Sequence, residues 1–543
     1  MLGVTATLER PTGSPPPVPP SAEVTAHAED LRDRLSPPFP SRGIRGWIGP
    51  LAVTALAFFL RIWHISSPRA FAFDETYYAK DAWSLLHFGY ERQPVANADN
   101  IFLSGNGHIF GTSPEWAVHP PLGKWVIAVG ELFWGITPFG YRIMSVVFGT
   151  VSVLVLSRTA RRMFRSDLLG TAAGLLLALD GLAIVMSRVS MLDIFLMAFV
   201  LFAFACLVLD RDRVRARLLD WSLATMASTS EPGPPPRDAL GPGLGVRPWR
   251  LLAAFFLGCA CATKWSGVYY LVGFAAMSWL WDRSARRAAG IAHPTLASGS
   301  KDLLANLGSF FPLAFVVYTV SYTGWFVNKG AYLRDWAATA GAQTKYPWIP
   351  DVIRSWWHWH AVTLNFHDHL YTPHAYEAGP GKWIIMARPT QMYAVYPKCP
   401  WNPSIDCAAD IVSLGNPIIW WTGCVAFLWC VWLLLSRWDW RAGATLMGLA
   451  AGWLPWFWNL KRTTFTTYAV IFVPYVVLAC VIALASVIGP ARASPMRRTI
   501  GAAVAGSWVL VVLVVSHILF PVWTGELITR VHWNHLMWFR SWI

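Results

Sequence analysis

Eleven apolar stretches, separated by polar segments rich in Arg, dominate the pattern of this chain. They lie at about 44–64, 139–157, 168–187, 190–209, 249–263, 266–281, 303–326, 417–436, 442–459, 464–487 and 500–521. A helix needs roughly 20 apolar residues to cross a ~30 Å hydrocarbon core. Most stretches meet that length; the fifth and sixth are short. The pattern predicts an all-α polytopic membrane protein with about 11 transmembrane helices.

The polar segments differ from one another. Residues 1–42 are Pro-rich (Ser14-Pro15-Pro16-Pro17) and read as a disordered cytoplasmic tail. Residues 43–326 hold the first seven spans, including a long loop at 65–138. In that loop, Tyr78, Ala82, Leu85 and Leu86 are spaced for an amphipathic helix over Glu75–Leu86 lying on the membrane. Pro120–Ile136 suits a second such helix. Residues 218–248, rich in Pro and Gly, read as a flexible linker. A second long extramembrane loop covers 327–412, four spans fill 413–521, and 522–543 is a short amphipathic tail with several Trp.

Composition agrees with this reading. Of 543 residues 55% are hydrophobic and 14% charged, which excludes an ordinary soluble domain. The 33 Trp gather at the ends of apolar runs, as membrane-interface anchors do. The net charge of +14 would raise nucleic acid as a partner in a soluble protein. Here the dense runs Arg158–Arg165 and Arg211–Arg217 fall between spans. Under the positive-inside rule they place the N-terminus in the cytoplasm, and nucleic-acid binding is rejected. The 65–138 loop, the 327–412 loop and the C-terminus are then extracytoplasmic. Residues 1–40 lack the apolar core of a cleavable signal, so the first span is expected to direct insertion.

Six of the eight Cys lie in or beside apolar runs. Cys399 and Cys407 stand apart in the second loop, where an oxidising exterior allows a disulfide. No Cys/His spacing resembles a zinc site. The same loop carries His358, His360, His367, His369 and His374, interleaved with Trp. Each i,i+2 His pair shares a face only in extended chain, so aromatic and polar contact with a sugar or acceptor peptide is favoured over metal.

The candidate chemistry is in the first loop. Asp74-Glu75 opens an aromatic segment, Phe73-Asp74-Glu75-Thr76-Tyr77-Tyr78, beside the membrane. A carboxylate there can take a proton from a hydroxyl nucleophile, and its neighbour can position substrate. His119 and Lys124, in His119-Pro120-Pro121-Leu122-Gly123-Lys124, could face an anionic group. Arg142 stands in the outer end of the second span, where a charge is costly unless paired. Its planar fork suits phosphate, and a structural pair with Asp74, Glu75 or Asp193 is the competing reading. Lys264 and Arg462 are secondary candidates for a lipid phosphate, and Asp193 is expected to pair with an Arg.

Taken together, Phe73-Asp74-Glu75, His119–Lys124, Tyr141-Arg142, Ser187-Arg188 with Leu192-Asp193, Thr263-Lys264-Trp265-Ser266-Gly267 and Gly415-Asn416-Pro417-Ile418-Ile419-Trp420-Trp421 resemble the protein O-mannosyltransferase family, its actinobacterial members in particular. The resemblance implies a GT-C glycosyltransferase fold in the cell membrane. It implies transfer of mannose from polyprenyl-phosphate-mannose to Ser/Thr hydroxyls of polypeptides emerging from the secretion machinery, without cofactor. It puts the catalytic base on Asp74, substrate binding on Glu75 and the donor phosphate on Arg142. The 327–412 loop is too short for the β-trefoil of eukaryotic members. The family's His-His-Tyr-Leu-Pro-like stretch is here Thr466-Thr467-Tyr468-Ala469-Val470. A lipid-linked glycosyltransferase acting on a glycolipid or cell-wall glycan shares these features. A transporter or flippase shares the spans but predicts internal repeats, and the chain has none.

Overall fold

A computed structural model describes residues 22–39, 43–228, 240–339, 346–490 and 492–543. The first half runs α1 (Ala22–Leu35), α2 (Arg45–Ile62), α3 (Glu75–Phe88), α4 (Ala98–Leu103), α5 (Leu122–Trp134), α6 (Pro138–Phe164), α7 (Asp167–Leu179), α8 (Gly181–Met186), α9 (Leu192–Ser228), α10 (Pro248–Thr263) and α11 (Gly267–Ala288). Helices Leu303–Ser321, Pro417–Arg437, Trp440–Trp453, Val473–Ile488 and Pro495–Thr524 complete the membrane part. Seven of the described helical segments are long and apolar enough to cross a bilayer; α7 and α10 are shorter apolar helices. The rest of the eleven expected positions are helical too. The bundle packs on α9, whose membrane half is buried almost throughout.

Span boundaries follow capping chemistry. Thr137 and Ser166 accept from the Gly140 and Leu169 amides and start α6 and α7. The third span, expected to be continuous over 168–187, breaks at Asp180. The Asp180 carboxylate accepts from the Ala183 amide (2.9 Å), and so opens α8, and from Asn416 N (3.1 Å) and Trp420 Nε1 (2.8 Å). Thus Gly415–Trp421 serves to join two spans. Arg61 donates to the Leu177 and Ala178 carbonyls (3.2 and 3.4 Å) in the last turn of α7. Arg188 does the same for α2 through the Arg61 carbonyl (2.9 Å). Buried in a bundle, a helix end needs such donors because water is absent.

The polar segments are more ordered than expected. The tail reading of 1–42 is corrected for α1, whose Leu31 and Leu35 pack on Val214 and Leu218 of α9; residues 1–21 and 40–42 lie outside the described residues. The flexible-linker reading of 218–248 is corrected likewise. Its first part continues α9, Leu240 and Pro242 accept from Arg286 (both 3.0 Å), and only 229–239 lies outside the described residues.

The first long loop forms the two expected helices, α3 and α5, with strands β1 (Arg92–Pro94) and β2 (Phe110–Pro114) paired antiparallel between them in the chain. The second loop is folded. It contains the helix Asp351–Asp368 and strands β3 (Gln391–Val395), β4 (Lys398–Cys399) and β5 (Asn402–Val412). β5 is the centre of that sheet; Ala394 faces Asp410 and Lys398 faces Asp406. A Cys399–Cys407 disulfide closes the β4–β5 turn. The C-terminal segment packs onto this layer: β6 (Ile528–Thr529) pairs with β5, and Trp542 is buried with its indole N–H on the Met386 carbonyl (2.9 Å).

Candidate active site

The local fold separates the two acidic neighbours. Phe73 has φ +52°, a left-handed conformation uncommon for a bulky residue. Its ring is held edge-on by Phe465 (5.1 Å) and His374 (6.0 Å). The turn puts Asp74 at the N-cap of α3 and Glu75 in its first turn.

Glu75 is fully buried. Its carboxylate accepts from Arg142 Nε (2.8 Å) and Nη2 (2.7 Å), from Ala72 N (2.7 Å) and from Ser190 N (2.8 Å). Arg142 spends its other donors on the Ile65, Pro68 and Ala70 carbonyls at 3.1, 3.0 and 2.9 Å. Those five contacts match the five N–H groups of a guanidinium. The pair ties α3 to α6 and holds the Ile65–Ala72 segment, the structural pairing that competed with a phosphate contact for Arg142. Lys124 is also sequestered, on Glu91 (2.5 Å) and Asp81 (3.4 Å), at 1% exposure. It joins α5 to α3 through Asp81 and to the start of β1 through Glu91.

Asp74 is half-buried, and its side chain makes no capping bond. Burial pushes its carboxyl up to about 6, against the nearby Lys264 cation and a hydrogen bond from Tyr78, with Asp193 adding to the rise. Asp74 thus lies within electrostatic reach of the Asp193–Lys264 pair, whose Nζ–O distances are 2.9 and 3.0 Å. Asp193 meets a Lys here, not the Arg expected.

That ion pair is on the wall of a cavity of about 550 Å³. His119, Trp265, His367, Trp456, Arg462 and Tyr468 share the wall. Asp74 stands beside this cavity, not on its lining. His119 stacks on His367 at 5.3 Å, and burial among Lys264, His367 and Arg462 holds its imidazole well below the usual range. His367 bonds the Val118 carbonyl (3.0 Å) and Arg462 Nη2 (3.3 Å), and burial lowers it to about 4. Arg462 also donates from Nε to the His367 carbonyl (2.9 Å), while its Nη1 has no protein partner. Tyr468 offers its ring face to Lys264 Nζ at 4.9 Å. Of the expected site residues, Asp74, His119, Asp193, Lys264 and Arg462 come together here; Glu75, Arg142 and Lys124 do not. Trp456 and Tyr468 were not foreseen. Tyr468 lies in the stretch that departs from the family's pattern, so no motif pointed to it.

The helix Asp351–Asp368 resolves the His-rich tract. His358 stacks on Trp336 (3.8 Å), His360 bonds the Tyr318 hydroxyl (2.7 Å), and His367 faces the cavity. Among the described residues no group of three or more His, Cys, Asp or Glu is placed to hold a metal ion.

The many-span bundle, with its acidic first loop folded over a cationic cavity, has the fold of a GT-C membrane glycosyltransferase, as its superposition on a solved structure shows. The structure of the Saccharomyces cerevisiae Pmt1–Pmt2 complex bound to the sugar donor superposes with a TM-score of 0.70 at 13% identity, covering 96% of this chain and 94% of that one. A profile described as dolichyl-phosphate-mannose-protein mannosyltransferase matches residues 51–230, and one for the C-terminal four TMM region of protein-O-mannosyltransferase matches 352–542. The polyprenol-phosphate-mannose–protein mannosyltransferase of Mycolicibacterium smegmatis is 35% identical over 92% of this chain and 93% of its own length. Those of Mycobacterium tuberculosis (34%; 92% of each chain) and Corynebacterium glutamicum (30%; 87% and 88%) are also similar. The chain belongs to the polyprenol-phosphate-mannose–protein mannosyltransferase family.

Proposed function

We propose that this enzyme transfers mannose from polyprenyl-phosphate-mannose to Ser or Thr hydroxyls of exported polypeptides, with inversion at the anomeric carbon. Asp74 accepts the hydroxyl proton as the acceptor oxygen attacks C1. The C1–O bond to phosphate breaks on the opposite side, and its electron pair leaves with the polyprenyl phosphate. Arg462, through its unpaired Nη1, and Lys264 offset the charge that grows on the phosphate. The aromatic wall of Trp265, Trp456 and Tyr468 offers apolar faces to the sugar and the first prenyl units.

The observation that carries this reading is the contrast between two adjacent carboxylates. Glu75 is locked by four hydrogen bonds, while Asp74, raised to about 6 beside the cavity, has the basicity of a proton acceptor near neutral pH. The Arg runs support a cell-membrane orientation with the N-terminus cytoplasmic and the site outside. A lipid-linked donor fits that side, since nucleotide sugars are cytoplasmic.

The test is transfer of radiolabelled mannose from its polyprenyl-phosphate carrier to a Thr-rich peptide by the purified chain in liposomes, with the anomeric linkage read by NMR. The peptide should carry the label and Asp74→Asn should lose it. Label found only in lipid or glycan would replace the protein acceptor by another; turnover retained in Asp74→Asn would remove Asp74 as the base.

A further inference from the structure

At the membrane face opposite the donor cavity, the start of α2 and the end of α6 enclose a second cavity of about 460 Å³. Phe39, Ile44, Trp47, Arg158, Arg161 and Arg162 line it. Its charge is unbalanced. Arg161 pairs with Asp167, and Arg162 and Arg165 share Asp212 at 2.9 and 3.0 Å. Asp212 also meets Arg211 at 3.4 Å. Two carboxylates thus serve four guanidiniums. Among the described residues none is in ion-pair contact with Arg158. Arg158 lies flat on Trp47, 3.9 Å from the ring centre, and gives a hydrogen bond from Nη1 to the Gly46 carbonyl (2.6 Å). That leaves most of its donor fork uncommitted.

The surroundings select the anion. Phe39 caps Arg165 at 3.9 Å and Arg162 at 5.0 Å. Ile44, on the cavity lining, and Ile48 and Leu51 further along α2 are exposed, as is Leu168 of α7. An apolar strip running along a span from a cationic pocket at its end matches a ligand with a charged head and hydrocarbon tails. A soluble anion would gain nothing from the strip. Guanidinium forks suit phosphate oxygens in a way that ammonium groups do not.

We propose that this cavity binds the phosphate of an anionic phospholipid in the leaflet where the chain begins. Arg158 is the principal phosphate contact, Arg162 is the second, and the lipid's acyl chains lie along Ile44, Ile48 and Leu51. The site is distinct from the donor cavity and independent of the reaction proposed there. Its role is to fix the cytoplasmic ends of α2 and α6; the other end of α6 carries Arg142, which donates to the Ile65 carbonyl just past α2.

The test uses the full chain, purified in neutral detergent and mixed with phosphatidylcholine vesicles containing phosphatidylglycerol. Retained phosphatidylglycerol is counted by native mass spectrometry, and the thermal midpoint is followed as that lipid is added. Wild type should retain phosphatidylglycerol and gain thermal stability with it. Arg158→Gln should bind it roughly fivefold more weakly, the effect of losing one interfacial arginine. Arg498→Gln, an exposed arginine at the start of the last span, should match wild type. The fold of Arg158→Gln is checked by its mannosyl transfer, which uses none of these residues. Equal retention in Arg158→Gln and wild type, or equal loss in Arg498→Gln, would overturn the site. So would full protection by inorganic phosphate alone, which would mean a soluble-anion site.

Discussion

Replacing Arg142 by Lys separates a frame role from a donor role. Arg142 is 1% exposed and makes five hydrogen bonds, two to Glu75 and three to the Ile65, Pro68 and Ala70 carbonyls. A Lys ammonium has three donors and no fork. At best it leaves two buried acceptors unpaired, each at a cost of about 1–3 kcal/mol, so Arg142→Lys should lose roughly 2–6 kcal/mol. Breaking a buried ion pair outright costs about 3–5 kcal/mol, which sets the scale for Arg142→Ala. The assay is thermal unfolding of the detergent-purified protein without donor, alongside binding of polyprenyl phosphate. A marked fall in midpoint in the absence of donor is expected, with whatever folded fraction remains at low temperature binding polyprenyl phosphate normally. A Lys variant that melts like wild type yet binds polyprenyl phosphate poorly would refute the reasoning and return Arg142 to the phosphate.

Two further outcomes follow from the cavity. If ionised Asp74 is the proton acceptor, as proposed, transfer should be at its plateau above about pH 7. It should fall as pH drops through about 6, by roughly tenfold per unit in the acid limb, in a pH–rate profile with saturating donor. Arg462→Ala should weaken donor binding by about tenfold or more, with a small change in acceptor KM, because a charge-assisted contact to the phosphate is lost; unchanged donor KM and kcat would exclude Arg462 from the phosphate site.

The spans were legible in the sequence because the bilayer imposes one rule on every segment, and length with apolarity reports it directly. The helix α3 was legible from the spacing of Tyr78, Ala82, Leu85 and Leu86, and α5 from the Pro-opened apolar run that follows His119. What sequence alone could not apportion was charge. Asp74 and Glu75 are neighbours with similar chemistry, and their separation depends on Arg142 and Ser190, 67 and 115 residues further along the chain. Arg142 looked suited to phosphate for the same reason that it suits Glu75, since a planar fork fits either oxyanion. The break at Asp180 was hidden because an N-cap inside an apolar run matters only where distant groups, here Asn416 and Trp420, complete it. The order of α1 and of the C-terminal segment was also hidden, for both gain their structure from packing on distant parts of the chain.

The asymmetry between the two carboxylates has a thermodynamic sign that can be measured. Glu75 carries its charge among four donors, so an amide in its place must turn NH₂ hydrogens toward Arg142 or toward a backbone N–H, and Arg142 is left buried without a counter-charge. Glu75→Gln should therefore cost on the order of 3–5 kcal/mol of stability, read as a lower thermal midpoint. Asp74 is the reverse case. Its carboxyl is raised to about 6 chiefly by burial, which means that at pH 7.5 the folded protein holds an ionised group at a greater cost than the unfolded chain does. The folded pKa lies above the unfolded one, so this group favours folding at acid pH and opposes it as pH rises through the folded value. Asp74→Asn removes that opposition, and at pH 7.5 the variant should melt at or above the wild-type temperature while transferring no mannose. A group that weakens the fold in its ionised form is a candidate for chemistry, in keeping with the proposed role of Asp74. If Asp74→Asn instead melted well below wild type and Glu75→Gln did not, the two roles would have to be exchanged.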